Sequence, residues 1–193
     1  APSRDLFVLK IDIDSWECPL MERAVEVISP YFIHVETNMM YPPPVQYSMG
    51  YNSEVDLQAA YNGSSYYPVS GCSLSYVVAR MMTKGYYLYN MWRGDTVLIR
   101  HDLAPYFEPL YPAEYDETGE MTSPPLKFPM DEIEVYKKMY IWVSGVNVGV
   151  VREWFFHMHE DPDDYFARIY TNTTKIAKLM NVEDIPIFLT VSP

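Results

Sequence analysis

Leu6-Phe7-Val8-Leu9-Lys10-Ile11-Asp12-Ile13-Asp14 is the stretch that decides the fold. Its first half is unbroken apolar sequence, which reads as a strand buried on both faces, and it ends in two carboxylates. Ser15 is placed to cap a helix. Trp16, Leu20, Ala24, Val27 and Ile28 then recur three or four apart, the spacing of one helical face. Pro30 stops that helix, and residues 31–36, Tyr-Phe-Ile-His-Val-Glu, form a second short strand. Strand, helix and strand within so few residues predict a βαβ unit with parallel strands.

Working outward, residues 37–70 are rich in Pro, Tyr, Asn and Ser and show neither helical nor strand period. They read as a long loop of the kind that carries function or an interaction surface. After Gly71, the residues Leu74, Val77, Val78, Met81 and Met82 make the apolar face of a second helix, closed by Lys84 and Gly85. Tyr86–Met91 and Asp95–His101 flank a short Trp92-Arg93-Gly94 connection and predict an antiparallel hairpin. The order through residue 101 is therefore β-α-β-loop-α-β-β. The expected class is α/β: parallel strands closing in an antiparallel hairpin, as in the C-terminal half of a Rossmann-like methyltransferase sheet, plus a C-terminal extension. Three segments are expected: 1–107, a proline- and tyrosine-rich connector over 108–130, and an α/β extension over 131–193. Within the extension, residues 130–139 read as a helical turn or two, 140–151 as a strand pair, 162–180 as a helix capped by Asp161, and 185–191 as a strand.

Composition sets outer bounds. In 193 residues, 49% are hydrophobic and 21% charged, which excludes a disordered chain. No apolar run approaches the roughly 20 residues that span a bilayer. With 14 basic against 26 acidic residues, the net charge of −12 repels phosphate backbones, so nucleic acid is not an expected partner. The chain enters its first strand with no visible leader, so either processing has removed one or the chain starts inside something longer. Two sequons, at Asn62 and Asn172, fit a secretory or lumenal location without fixing the compartment.

Four segments carry a family resemblance. Residues 7–14 resemble the "LKIDxEG" strand of FkbM-type, S-adenosylmethionine-dependent methyltransferases. His34-Val35-Glu36-Thr37-Asn38, followed by Pro42-Pro43-Pro44-Val45-Gln46-Tyr47, is similar to the "E(I/V)NPxxPPPI(R/K)F" segment of a eukaryotic and algal branch. Gly71-Cys72-Ser73-Leu74-Ser75-Tyr76-Val77 resembles that branch's "GCSLSY" helix start. Gly85–Leu88 leading to Asp95–Leu103 looks like its "GYxLLQxxxxDAxFVRxDL" segment. The similarity covers residues 5 to about 107 in the right order, and Val151-Arg152-Glu153-Trp154 gives a fainter echo downstream.

The resemblance implies O-methyl transfer to a hydroxyl of a glycan or small metabolite, with S-adenosylmethionine as cofactor. It also exposes a departure. The family binds its cofactor at a glycine-rich turn after the first strand and at an acidic residue ending the second, both upstream of the strand that opens this sequence. No GxGxxG-like turn occurs among the eight scattered glycines. Asp14-Ser15 stands where the family has Glu-Gly. The expectation is a fragment that binds no cofactor by itself. A protein partner, or the missing N-terminal half, would then cover the sheet edge left bare; the alternative is a catalytically inactive accessory subunit of a larger assembly.

The candidate catalytic residues are Asp12, Asp14, His34 and Glu36, which fall at the strand ends where open α/β sheets bind ligands. Asp12 and Asp14 could contact substrate or cofactor, directly or through a cation; the plain alternative is helix capping and solvated carboxylates. Glu36 and Asn38 could line an acceptor pocket or anchor the proline loop. His157, His159, Glu160 and Asp161 have metal-like spacing, but the sequence turns helical at Pro162 and no metal site is assigned. Tyr41, Tyr61, Tyr66 and Tyr67 fit packing under the long loop better than a binding surface. Cys18 and Cys72 are expected as free thiols, on helices lying on opposite faces of the sheet.

Overall fold

The computed structural model describes residues 5–54, 70–107, 113–123, 127–140, 162–179 and 186–191. β1 (Asp5–Ile11) and β2 (Ser29–Glu36) run parallel, with Leu9 opposite Ile33 and Ile11 opposite Val35, and α1 (Glu17–Val27) crosses between them. After β3 (Val45–Met49) come α2 (Leu74–Met82), β4 (Tyr86–Trp92) and β5 (Asp95–Arg100). β5 returns between β2 and β4 and is antiparallel to both, giving an open sheet of order β1-β2-β5-β4. The expected parallel pair and terminal hairpin are both present in this mixed α/β fold. Arg93 and Gly94 turn the hairpin with φ of 51° and 98°, the paired positive angles that suit a two-residue connection.

One face of the sheet holds the core. Ile11, Ile33, Val35, Leu88, Met91 and Leu98 from the strands meet Cys18 and Met21 of α1 and Leu74, Val77 and Met81 of α2 in one buried cluster. Each such side chain contributes about 1.5–3 kcal/mol on burial. α3 (Glu132–Tyr140) adds Val135 and Tyr136 to the same cluster, and the Tyr136 hydroxyl donates to the Met39 carbonyl at 2.6 Å. Phe32, pointing the other way on β2, belongs to a row of rings with Phe7, Phe107, Tyr89 and Phe128 that crosses the sheet from β1 to β4. A short 3-10 turn (Ala104–Tyr106), a small ladder of β6 (Glu114–Tyr115) with β7 (Met121–Ser123), and α4 (Pro162–Leu179) complete the described elements, with β8 (Ile187–Val191) last.

Several expectations need correction. β1 is not buried on both faces: it is the sheet's edge, and Leu6, Phe7 and Val8 are 41%, 70% and 41% exposed. Apolar sequence alone does not separate a central strand from an edge. Ser15 does not cap α1; the cap position is Trp16, without a side-chain bond, and the buried face is Glu17, Cys18 and Met21 while Leu20 and Val27 are exposed. The apolar spacing named a stripe rotated from the one that packs. Residues 37–70 are not strandless, because Val45–Met49 pairs antiparallel with β8 from the far end of the chain. The connector likewise holds the β6–β7 ladder rather than extended chain alone.

The cysteines are bonded to each other, with Cα atoms 6.1 Å apart. α1 and α2 share one face of the sheet, so the premise behind the free thiols fails. The strand pair over 140–151, apart from Tyr140 itself at the end of α3, lies outside the described residues. So do the His157–Asp161 cluster, Tyr61, Tyr66 and Tyr67, the Asn62 sequon and the Val151–Trp154 echo.

Candidate functional site at the strand ends

Three of the four candidate residues converge. Asp12 and Asp14 follow the end of β1, Glu36 is the last residue of β2, and one oxygen from each lies within 4.8 Å of the others. Parallel strands make this possible, because both carboxyl ends open at the same edge of the sheet. Lys10 offsets part of the charge through an ion pair with Asp12 at 3.1 Å. His34 shares the Glu36 face of β2 by strand alternation, but its Nε2 is engaged by Asp95 Oδ1 at 2.9 Å. Asp95 in turn sits directly opposite Glu36 in the β2–β5 register.

Burial, with crowding of like charge behind it, sets the electrostatics. Burial, reinforced by Asp14, Glu17, Asp12 and Asp95, pushes the Glu36 carboxyl up to about 7. Glu17 is also raised, chiefly by its own burial, although backbone amides bonded to it pull the other way. A carboxyl near neutrality is matched to accepting a proton at physiological pH. The three converging carboxylates also make an all-oxygen donor set of the kind hard divalent cations take.

Sequence reasoning missed Glu17, Asp95 and Gly71. Glu17 reads as an ordinary first-turn acid, yet it is 1% exposed, and its Oε1 accepts from the amides of Ile13 at 3.1 Å and Ser15 at 2.8 Å. Those two amides bracket Asp14, whose φ of +57° is a backbone state that costs an L residue about 1–2 kcal/mol. Gly71, with φ +56°, packs against Glu17; a methyl group there would lie 3.0 Å from Oε2. Gly71→Ala should therefore destabilise the chain by about 1 kcal/mol through its positive φ. Urea titration of the two chains checks this, and equal midpoints would remove the glycine's role. Asn38 anchors rather than reacts: its amide donates to the Cys72 carbonyl at 2.7 Å and its Nδ2 to the Ser70 carbonyl at 3.0 Å. Tyr41 is buried and stacked on Tyr47, as packing beneath the loop requires.

Fold and site together define a mixed α/β chain with a carboxylate cluster at the ends of its parallel strands. The chain matches no protein-family model, and neither any curated protein nor any solved structure matches it.

Proposed function

We propose that this chain is the closing half of an FkbM-type methyltransferase sheet, with Asp12, Asp14, His34 and Glu36 on the acceptor side of an O-methyl transfer to a glycan or small-metabolite hydroxyl. The observation that carries the reading is the meeting of Asp12, Asp14 and Glu36 at the carboxyl ends of two parallel strands, in a sheet that closes with an antiparallel hairpin. Fold-level analogy and the four motif segments add to it. In this role Asp12 and Asp14 hold the acceptor, and Glu36 or His34 takes its proton as the oxygen becomes a nucleophile.

The residues of this chain do not fit S-adenosylmethionine itself. The turns that follow its two parallel strands, residues 12–16 and 37–44, contain no glycine, and a side-chain-free turn is what lets backbone approach a nucleotide. The cofactor therefore has to come with strands that pair onto the β1 edge. Isothermal titration of the purified chain should accordingly give millimolar or weaker binding of S-adenosylmethionine, because losing a site's main polar contacts costs several kcal/mol at about tenfold per 1.4 kcal/mol. Micromolar binding that disappears in Asp12→Asn or Asp14→Asn would overturn the half-sheet reading and make the chain an autonomous binder.

A second reading, an accessory subunit without catalysis, is favoured by the exposed Leu6, Phe7 and Val8 on the β1 edge. An apolar edge of that kind invites a partner strand. The readings part at the carboxylates: an accessory role leaves Asp12 and Glu36 dispensable, and acceptor methylation does not. The buried disulfide fits an oxidising compartment under either reading.

A further inference from the structure

Glu17 is the one charged side chain that is fully buried among the described residues. Its two oxygens have different surroundings. Oε1 clamps the turn around Asp14 through the Ile13 and Ser15 amides. Oε2 is buried with no hydrogen-bond partner and lies against Gly71. Gly71 donates its amide to the Ser15 carbonyl at 2.6 Å, and the next residue, Cys72, accepts from the Asn38 amide and is bonded to Cys18, which follows Glu17. The loops after β1 and β2 and the entry to α2 thus meet at a single covalent staple, with both sulfurs wholly buried.

This arrangement holds two unfavourable features in place: a half-satisfied buried carboxylate and a left-handed aspartate. A buried oxygen without a partner gains by reaching water, so the first turn of α1 is driven outward wherever it is free to move. Moving it withdraws Oε1 from Ile13 and Ser15 and releases Asp14 from its positive φ. The bridge opposes that motion. We infer that Glu17 is the positioning residue of the carboxylate site and that the Cys18–Cys72 bridge locks it there, so that Asp12, Asp14 and Glu36 converge in the disulfide-bonded chain and separate on reduction. The reductant is a dithiol: it reaches the buried bridge in a transient opening, its thiolate attacks one sulfur, the Cys18–Cys72 bond breaks, and exchange leaves two protein thiols and the reductant as its own disulfide, with two electrons and two protons transferred. The device rests on the strand-end site and not on methyl transfer.

Amide hydrogen exchange of the full chain, oxidised and in excess dithiothreitol, tests it without cofactor or substrate. A failed cofactor titration therefore leaves the outcome untouched. In the reduced chain the Ile13 and Ser15 amides should exchange by a local opening, roughly 30-fold faster or more and at a rate that low urea leaves unchanged, while Ile33 and Leu98 in the central strands stay better protected and speed up only through urea-sensitive global unfolding. Glu17→Ala, with the bridge intact, should release the same two amides, and Glu17→Gln, which keeps an oxygen for them, should retain most of the protection. Unchanged protection of Ile13 and Ser15 after reduction would overturn the inference. So would exchange of Ile13 and Ser15 at the same urea-sensitive rate as Ile33 and Leu98, which would leave the bridge a support of the whole fold and nothing more. If Glu17→Ala does not fold, the reduced wild-type chain decides.

Discussion

Replacing both cysteines, as Cys18→Ala with Cys72→Ala, should lower the stability of the chain by about 4 kcal/mol, because cutting a bridge between residues 54 apart frees the entropy of a loop of that length in the unfolded chain. For a chain of this size that corresponds to a fall in Tm of roughly 8–16 °C. Alanine is the right replacement, since both positions are wholly buried and serine would add an unsatisfied hydroxyl. Two measurements check it. Alkylation mass spectrometry should show two alkyl groups added after prior reduction and none without it. Thermal melts of the two chains should then separate; superimposable melts would show that the bridge constrains nothing.

Glu36→Gln should stabilise the chain at pH 8 and leave it unchanged at pH 4. The folded-state pKa of about 7 lies above the ordinary glutamate value of 4.5, so the native state binds more protons than the unfolded state between those limits. Stability from this group is full below about pH 4.5 and is lost as pH rises to 7, with no further change above. Glu36 is only partly buried, so solvent screening reduces the effect to on the order of 1–2 kcal/mol, or roughly 2–8 °C in Tm. Glutamine keeps the shape and removes the cost of burying a charge, along with the repulsion from Asp14, Glu17, Asp12 and Asp95. Melts taken from pH 4 to pH 8 should show a falling stability that flattens in the variant. A variant less stable than wild type at pH 8 would mean that the ionised carboxylate has a partner that offsets its neighbours.

Local pattern carried the parts of the fold that are local. The β1–α1–β2 unit and the β4–β5 hairpin could be read because apolar runs, Pro30 and Arg93-Gly94 act within a few residues of themselves. Asp12, Asp14 and Glu36 could be brought together because parallel strands place their carboxyl ends at one edge. What could not be read depends on distant partners. Val45–Met49 becomes a strand only through β8, and Cys18 meets Cys72 only because α1 and α2 share a face. Glu17 gave no signal, since a glutamate in a first helical turn is ordinarily solvated. Its burial follows from Gly71, Cys72 and the rotated stripe of α1, none of which its neighbours in sequence reveal.

The pairing of β3 with β8 has a consequence for how the chain is made. Val45 lies opposite Val191, so partners in this ladder stand roughly 140 residues apart, and closing so long a loop is slow beside the assembly of a hairpin or a βαβ unit. On the ribosome, β1, β2, β4 and β5 emerge and can assemble while β3 still has no partner strand to meet. The stacked Tyr41 and Tyr47 rings, and the buried row of Val45, Tyr47 and Met49, are then last to be sealed. Any chain stopped short of Ile187 presents that apolar strand to its neighbours, so completeness of the last few residues governs solubility before it governs anything at the carboxylate site.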